Sequence, residues 1–489
     1  MMKFCYVSVF AATVVAMSGC RTNKDILNDY EKALTAGDYQ KPIIELEEKA
    51  DGGGVDELMW RLHAGGSQYL VNNHYQTVYQ FDKAEDTFAA IDGEGAFGKA
   101  TDTAFAMMTN DRAFPFSGSG NDRVFTCLYK AIDYVAAGDN AAARTELNRA
   151  AQHQDNWLFE RKKEIEEAEK RLEKDAQDYA KKENSQSKDD DTSKAKDAAD
   201  KAMNDATFGA MIKEKCNFDP AADGNLETLS RQDWLNVYAE HVTGVFRWLN
   251  GEDDASVYLK EAAEVKVGNN MLMRDAAEVQ SGVKPKDQVW VFVEDGLCPM
   301  REEWRIDLPL VLIPYANRFV MYAGMALPYL RYRDFGMNGY EVIIGGKAQT
   351  LEVLEDVDRL SKNEFDVYFR GALTREIIRT IVKVGIQVGF GVAAETTNDS
   401  KAKLAFRIAQ VSAAAYAASV TQADLRSWTG LPKKVYAVRC NRPADGRIVV
   451  AGTNGTPVTE LNLPDGNSLV FVRKPSAAAP AVVKVANFK

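Results

Sequence analysis

Val289-Trp290-Val291-Phe292-Val293 runs into Glu294-Asp295-Gly296, and there the grammar of the chain changes. Five β-branched or aromatic residues without a polar break, closed by an acidic pair and a glycine, read as a strand and its turn. Short apolar runs recur beyond it at 306–313, 319–322, 329–332, 340–344 and 351–354, separated by Gly, Pro, Asp and Asn. That spacing is expected of an antiparallel β-sandwich. Residues 356–428 then read as helical, with an Ala-rich stretch at 408–420. Strand signals return at 435–439, 447–450, 458–463 and 468–473, and the Ala/Pro tail 475–489 reads as loose. The simplest topology is one β-domain, 284–355 and 429–474, carrying a helical insertion.

On the N-terminal side of Lys284 the periodicity is helical. Gly37-Asp38 is followed by Leu46 and Ala50, Gly138-Asp139 by Leu147 and Ala151, and Gly251-Glu252 by Leu259 and Ala263. In each, a glycine closes one helix, an acidic residue opens the next, and apolar residues at four-spacing line it. The pattern is that of widely spaced tetratricopeptide-like hairpins, with a generic helix bundle as the alternative. Two such regions, 20–159 and 207–283, flank a charged segment, 160–206. Its first half, RKKEIEEAEKRLEKDAQDYAKKE, pairs opposite charges three or four apart and suits a solvated helix. Its second half, NSQSKDDDTSKAKDAADK, has little to bury and reads as a flexible insert. The fold class is therefore α+β.

One segment fits two periods. In Val382-Lys383-Val384-Gly385-Ile386-Gln387-Val388-Gly389-Phe390-Gly391-Val392 apolar residues alternate as in a strand, even a membrane β-hairpin. The sequence on either side is helical, which favours a helix, continuous or broken at the glycines.

The first nineteen residues, MMKFCYVSVFAATVVAMSG, combine an early Lys with an apolar core too short for a permanent bilayer span. Ala16-Met17-Ser18-Gly19-Cys20 looks like a bacterial lipobox, so 1–19 read as a signal peptide and Cys20 as the acylated residue. An ordinary secretory signal with a chance cysteine is the alternative. Arg21 after the cysteine, by resemblance to enteric sorting rules, favours the outer membrane. The expected location is the periplasm, on a lipid tether.

The 489 residues carry 60 basic and 71 acidic side chains, net −11, with no dense basic cluster. Removing Lys3 with the signal peptide lowers this by one, to −12. Nucleic acid is thus not expected as a partner, since phosphate neutralisation supplies most of such affinity. Cys127, Cys216, Cys298 and Cys440 lack metal-binding spacing, and either pair as disulfides or stay as buried thiols. No metal or cofactor is expected.

Gly93-Glu94-Gly95-Ala96-Phe97-Gly98-Lys99-Ala100-Thr101 nearly satisfies a phosphate-loop pattern, but a helical stretch precedes it where a strand is needed. It reads as an interhelical loop. HExxH is absent, the four histidines are scattered, and neither Ser117 nor Ser119 sits in GxSxG. No catalytic residue is assigned, although a glycosidase-type acid pair leaves no sequence signature.

Several strings taken together resemble a family of bacterial periplasmic lipoproteins with a tetratricopeptide-like N-terminal half. They are Asn110-Asp111, Pro115-Phe116, Leu147-Asn148-Arg149-Ala150, Gly296-Leu297-Cys298-Pro299 and, most specifically, Ala423-Asp424-Leu425-Arg426-Ser427-Trp428 before Leu431-Pro432. The resemblance implies no known activity. It implies an envelope accessory role, akin to activators of cell-wall synthases or to secretion-assembly factors. Met300-Arg301 and the long insert after Glu160 depart from the pattern. Physically, ADLRSW reads as a helix end running into a Gly430-Leu431-Pro432 stop, with Trp428 as an anchor and Asp424 and Arg426 pairing or capping carbonyls. These three residues are either a structural anchor or a partner surface.

The expected function is a lipid-anchored scaffold that binds other envelope proteins through its helical repeats. A glycan-binding lipoprotein is the alternative, with Trp60, Tyr69, Tyr75 and Tyr79 as candidate contacts. An envelope hydrolase is the third, and it needs two acids converging in a pocket.

Overall fold

Alternation along strand β1 (Gln288–Asp295) sends Val289, Val291 and Val293 to one face and Trp290 and Phe292 to the other, and all five are buried. An uninterrupted apolar run is what a strand covered on both faces requires. In the computed structural model, which describes residues 21–94, 110–183, 190–313 and 318–489, β1 is the central strand of a five-stranded sheet. β10 (Asn467–Lys474) and β11 (Val482–Phe488) lie on one side of it, β7 (Lys434–Asn441) and β6 (Glu352–Asp356) on the other. β4 (Tyr340–Ile344), β5 (Lys347–Thr350), β8 (Arg447–Gly452) and β9 (Pro457–Asn462) form a second sheet. A ribbon of β2 (Met300–Asp307) and β3 (Gly324–Arg331) stands apart.

Helices precede the sheets. They are α1 (Asn23–Ala36), α2 (Ile43–Asp51), α3 (Glu57–Leu70), α4 (His74–Glu94), α5 (Gly120–Ala136) and α6 (Asn140–Glu183). α7 (Asp190–Met203), α8 (Ala206–Cys216), the single turn α9 (Arg231–Trp234), α10 (Val237–Leu249), α11 (Ala255–Val265) and α12 (Asn270–Gln280) follow. Gly37, Gly138 and Gly251 close α1, α5 and α10 with φ of 81°, 83° and 72°. Two long helices, α13 (Val357–Thr396) and α14 (Ser400–Val420), stand between β6 and β7 as a hairpin.

Three apolar cores follow from the strand alternation. Trp290, Phe292, Leu469 and Phe471 pack with Phe81, Tyr129 and Phe246 of the helical layer. Val291, Val438 and Val470, on the opposite face, share a core with Val342 and Val450 of the second sheet. The third core joins α7, α8, the β2–β3 ribbon and α13, through residues such as Ala199, Phe208, Met325 and Ile377. The first seam also carries a buried polar contact. Glu294 accepts hydrogen bonds from Tyr129 Oη (3.0 Å) and Tyr238 Oη (2.9 Å).

Several expectations need correction. The five-stranded sheet is mixed, because β1 runs parallel to β10 and antiparallel to β7. A boundary at 159/160 falls inside α6, whose helix formers continue to Glu183 without a break. Residues 190–203 of the supposed flexible insert are helix α7, which buries Ala198, Ala199 and Ala202. Alanines at this spacing let a helix approach closely while adding little to composition. The tail 475–489 contains β11, which pairs with β10 along its length and buries Val482, Ala486 and Phe488. Helix ends at Val420, so the insertion's last residues, 421–428, are irregular. Residues 382–392 are helical throughout, within α13. All four described cysteines are free and buried.

Candidate functional site

The irregular backbone of 421–428 is what lets Asp424 and Arg426 meet. Side chains two apart on a helix point away from each other. Here Arg426 Nε and Nη2 each donate to Asp424 at 2.8 Å. The same guanidinium reaches the carbonyls of Phe114 (2.8 Å), Asp111 (3.1 Å) and Val55 (3.2 Å), and the Asp56 carboxylate at 3.2 Å. One buried cation therefore ties together the start of α3, the 111–116 loop and the ADLRSW segment. Trp428 packs edge-on to Tyr129 and tilted against Phe81, in the helical core rather than on the sheet alone. A Cβ on Gly66 would lie 3.3 Å from its ring, so the glycine in α3 makes room for it. Cys20 and residues 1–19, read above as a signal peptide, lie outside the described residues, as do residues 95–101 of the glycine-rich loop. What precedes Gly93 is helix α4, not the strand a phosphate cradle needs.

A second arginine fastens the neighbouring loop. Arg333 is buried, and its guanidinium donates to the carbonyls of Cys298 (2.6 Å) and Thr429 (2.5 Å) and to Glu31 (2.9 Å). Gly296-Leu297-Cys298-Pro299 is thereby held against the ADLRSW segment. Between them opens a cavity of about 160 Å³, lined by four stretches remote in sequence, 111–122, 298–301, 361–375 and 424–431, together with Arg161, Ile165 and Leu330. An engineered cavity of similar size, ~150 Å³, takes a benzene, so this one fits a side-chain-sized group.

Its walls are Phe116, Phe365, Tyr368 and Trp428, and Arg301 lies over the Tyr368 ring at 4.3 Å. Two acids meet at the same place. Asp122 completes a capping box at the start of α5, accepting the Ser119 N–H at 2.7 Å. Glu364 accepts the Asn121 N–H at 3.0 Å and Trp157 Nε1–H at 2.8 Å. Burial, reinforced by the nearby Glu364, pushes the Asp122 carboxyl up to about 7 despite the Ser119 hydrogen bonds. Burial also raises Glu364, against the pull of Arg161. Asn121 Nδ2 and Ser427 Oγ are buried here without a hydrogen-bond partner among the described residues. Asp111 behaves oppositely. Burial raises it, but Arg375 and Arg379, at 2.7 and 2.5 Å, hold its carboxyl well below the ordinary range.

Of the residues singled out in the sequence, Asp424, Arg426 and Trp428 are brought together at this cavity. Asn121, Asp122, Arg301, Glu364 and Tyr368 were not foreseen. Ser119-Gly120-Asn121-Asp122 is a readable capping-box signal for the first two. Glu364 and Tyr368 lie among many similar residues on a long helix and carry no signal of their own.

Glu85, Cys127 and Glu146 also converge, with spacing that suits a metal ion. Lys130 Nζ already occupies that place, 2.8 Å from Glu85 and 2.9 Å from Glu146. Burial works against its charge, but the two glutamates hold Lys130 above its ordinary value. Burial drives the Cys127 thiol well up, away from the thiolate a metal would need. The cluster is a satisfied ion network. Of the four aromatic glycan candidates, Trp60 and Tyr69 are buried, whereas Tyr75 and Tyr79 are exposed. No family model, curated protein or solved structure matches this chain.

Proposed function

We propose that the chain is a lipid-anchored periplasmic accessory protein, tethered through Cys20, that binds other envelope proteins and does not itself catalyse. The observation that carries this reading is the convergence of the 111–122, 298–301 and 424–431 strings on one small cavity. Its aromatic walls, the Arg301 guanidinium and the unpartnered Asn121 Nδ2 suit capture of one polar side chain of a partner. Helical hairpins closed by left-handed glycines support a degenerate tetratricopeptide-like scaffold as the finer description of the helical half. Two sheets sharing one core support a sandwich-like description of the other half.

Crosslinking and co-purification of the native lipoprotein test this, with Cys20→Ala as the tether control and Asn121→Ala plus Arg301→Ala as the pocket control. A reproducible envelope protein, lost from the pocket variant, is the expected result. Retention of glycan with no protein partner overturns it in favour of the glycan-binding reading.

One observation favours a second reading, an envelope hydrolase: Asp122 and Glu364 are two desolvated acids at one cavity. Both, however, are engaged as acceptors at the α5 N-terminus, which is a capping task. Hydrolysis of cell-wall glycan that disappears in Glu364→Gln while the fold persists would establish the enzyme.

A further inference from the structure

On a helix of a globular protein the apolar stripe faces the core and polar residues face water. α14 does the reverse. Leu404, Ile408, Val411 and Ala415 recur at spacings of four, three and four, which is one face of a helix. That face is outward: Leu404 is 63% exposed, Ile408 59% and Val411 54%, with Tyr416 beside them. The inward residues are Gln410, Ala414 and Ala417, and Gln410 Nε2 donates to the Phe319 carbonyl at 2.7 Å.

α13 keeps an ordinary apolar inner face, with Ile381, Val384 and Val388 buried, but it buries polar side chains beside them. Lys383 and Gln387, four apart, are both buried, whereas Gly389 and Val392 are exposed. Gln387 accepts the N–H groups of Met321 and Tyr322, each at 3.0 Å, and donates to the Tyr322 carbonyl at 2.9 Å. The hairpin thus spends Gln387 and Gln410 on a strap at 319–322 and leaves the apolar stripe of α14 outside. Met321 of that strap is exposed too.

The surroundings of this face are basic, on a chain with a net charge of −11. Lys401 and Lys403 are exposed at the start of α14, and Arg318 and Arg407 both pair with Glu395. The base of the hairpin lies close to the first described residues. Asn23 bonds Asp56 at 2.7 Å, Asp56 meets Arg426 at 3.2 Å, Arg426 reaches the Asp111 carbonyl, and Asn110 Nδ2 bonds the Val420 carbonyl at 2.8 Å.

We propose that the outer face of the α13–α14 hairpin lies in the plane of an anionic phospholipid surface, with its apolar stripe at the acyl boundary and its lysines on the headgroups. α13 is long and apolar enough to cross a bilayer, with a window of mean hydropathy 1.5, but 61% of that window is buried inside the protein. The hairpin therefore lies on the membrane rather than through it. The position beside the N-terminus rests on the tether reading, whereas the lipid contact itself does not.

The chain from Arg21 onward holds every described element and lacks Cys20, so it tests the hairpin without any acyl group. Flotation with phosphatidylethanolamine:phosphatidylglycerol vesicles (about 3:1) is expected to carry it up, with at least ~10-fold weaker partition onto pure phosphatidylcholine. Ile408→Asp with Val411→Asp should abolish flotation at unchanged melting temperature. Lys401→Glu with Lys403→Glu should remove only the preference for the anionic lipid. Absence of flotation, or equal flotation of the aspartate variant, overturns the proposal. So does a stable dimer that the aspartate variant dissociates, which would make a second copy the natural cover. A failure of Cys20 acylation would leave the flotation result untouched and count only against the tether.

Discussion

His63 Nε2 accepts the backbone N–H of Thr429 at 3.2 Å, joining α3 to the residue that follows ADLRSW across 366 positions of sequence. Its Nδ1 lies 2.7 Å from the Met59 carbonyl, an acceptor, so the ring is the neutral Nδ1–H tautomer. A proton on Nε2 would remove the acceptor that the Thr429 N–H uses. Burial accordingly lowers the ring to about 4, despite the help of the Met59 carbonyl.

The sign of the resulting pH dependence is definite. The unfolded ring protonates near 6.5, the folded one only near 4, so stability is full above 6.5 and falls as the pH drops from 6.5 to 4. The loss amounts to about 3 kcal/mol over that window. Asp122 runs the other way: its folded value of about 7 lies above its ordinary 3.8, so its contribution is complete at low pH and is lost as pH rises from about 4 to 7. Melting temperature from pH 4 to 7.5 should therefore show a flatter acid limb in His63→Gln and a shallower decline towards neutral pH in Asp122→Asn.

Arg426→Ala leaves the buried Asp424 carboxylate without its guanidinium partner and takes a donor from the Phe114 carbonyl, whereas the Val55 and Asp111 carbonyls keep the N–H groups of Phe116 and Phe114. A loss of about 3–5 kcal/mol is expected in urea unfolding. Arg426→Lys should recover only part of it, because an ammonium cannot form the two parallel bonds to Asp424. Near-native stability of Arg426→Ala would instead place Asp424, Arg426 and Trp428 on a partner surface.

Zinc should not bind at Glu85, Cys127 and Glu146 while Lys130 fills the place between them. Millimolar zinc is expected to leave the melting temperature unchanged, and Lys130→Met to destabilise the protein by about 3–5 kcal/mol through the stranded glutamates. A saturable zinc-dependent rise in the unmodified protein would contradict the ion-network reading.

Deletion of 481–489 removes an entire strand of the five-stranded sheet and exposes β10. It also removes Lys484, whose ammonium pairs with the buried Asp133. The truncated chain should unfold at markedly lower urea, and Lys484→Ala alone should cost about 2–4 kcal/mol. Unchanged stability after truncation would restore the tail to a loose end.

Periodicity and turn chemistry made much of the architecture legible. The glycine-acid turns placed helix ends at Gly37, Gly138 and Gly251, and the V-W-V-F-V run marked a strand covered on both faces. Both are local effects, fixed by left-handed backbone and by side-chain alternation. The candidate site was legible only in part. Asp424, Arg426 and Trp428 stood out as a motif, but their mutual geometry needed an irregular backbone that the helical reading of 356–428 denied them.

What the amino-acid order decided by itself is the division into a helical and a stranded half, because hydrophobic period is a property of neighbours along the chain. The tertiary structure decided the rest. Gln387 and Gln410 look like surface residues until the 319–322 strap supplies their partners, and the alanines of α7 look like filler until α13 covers them. Which face of a helix is inside depends on what lies against it, and the hydrogen-bonded strap here is 65 to 91 residues away.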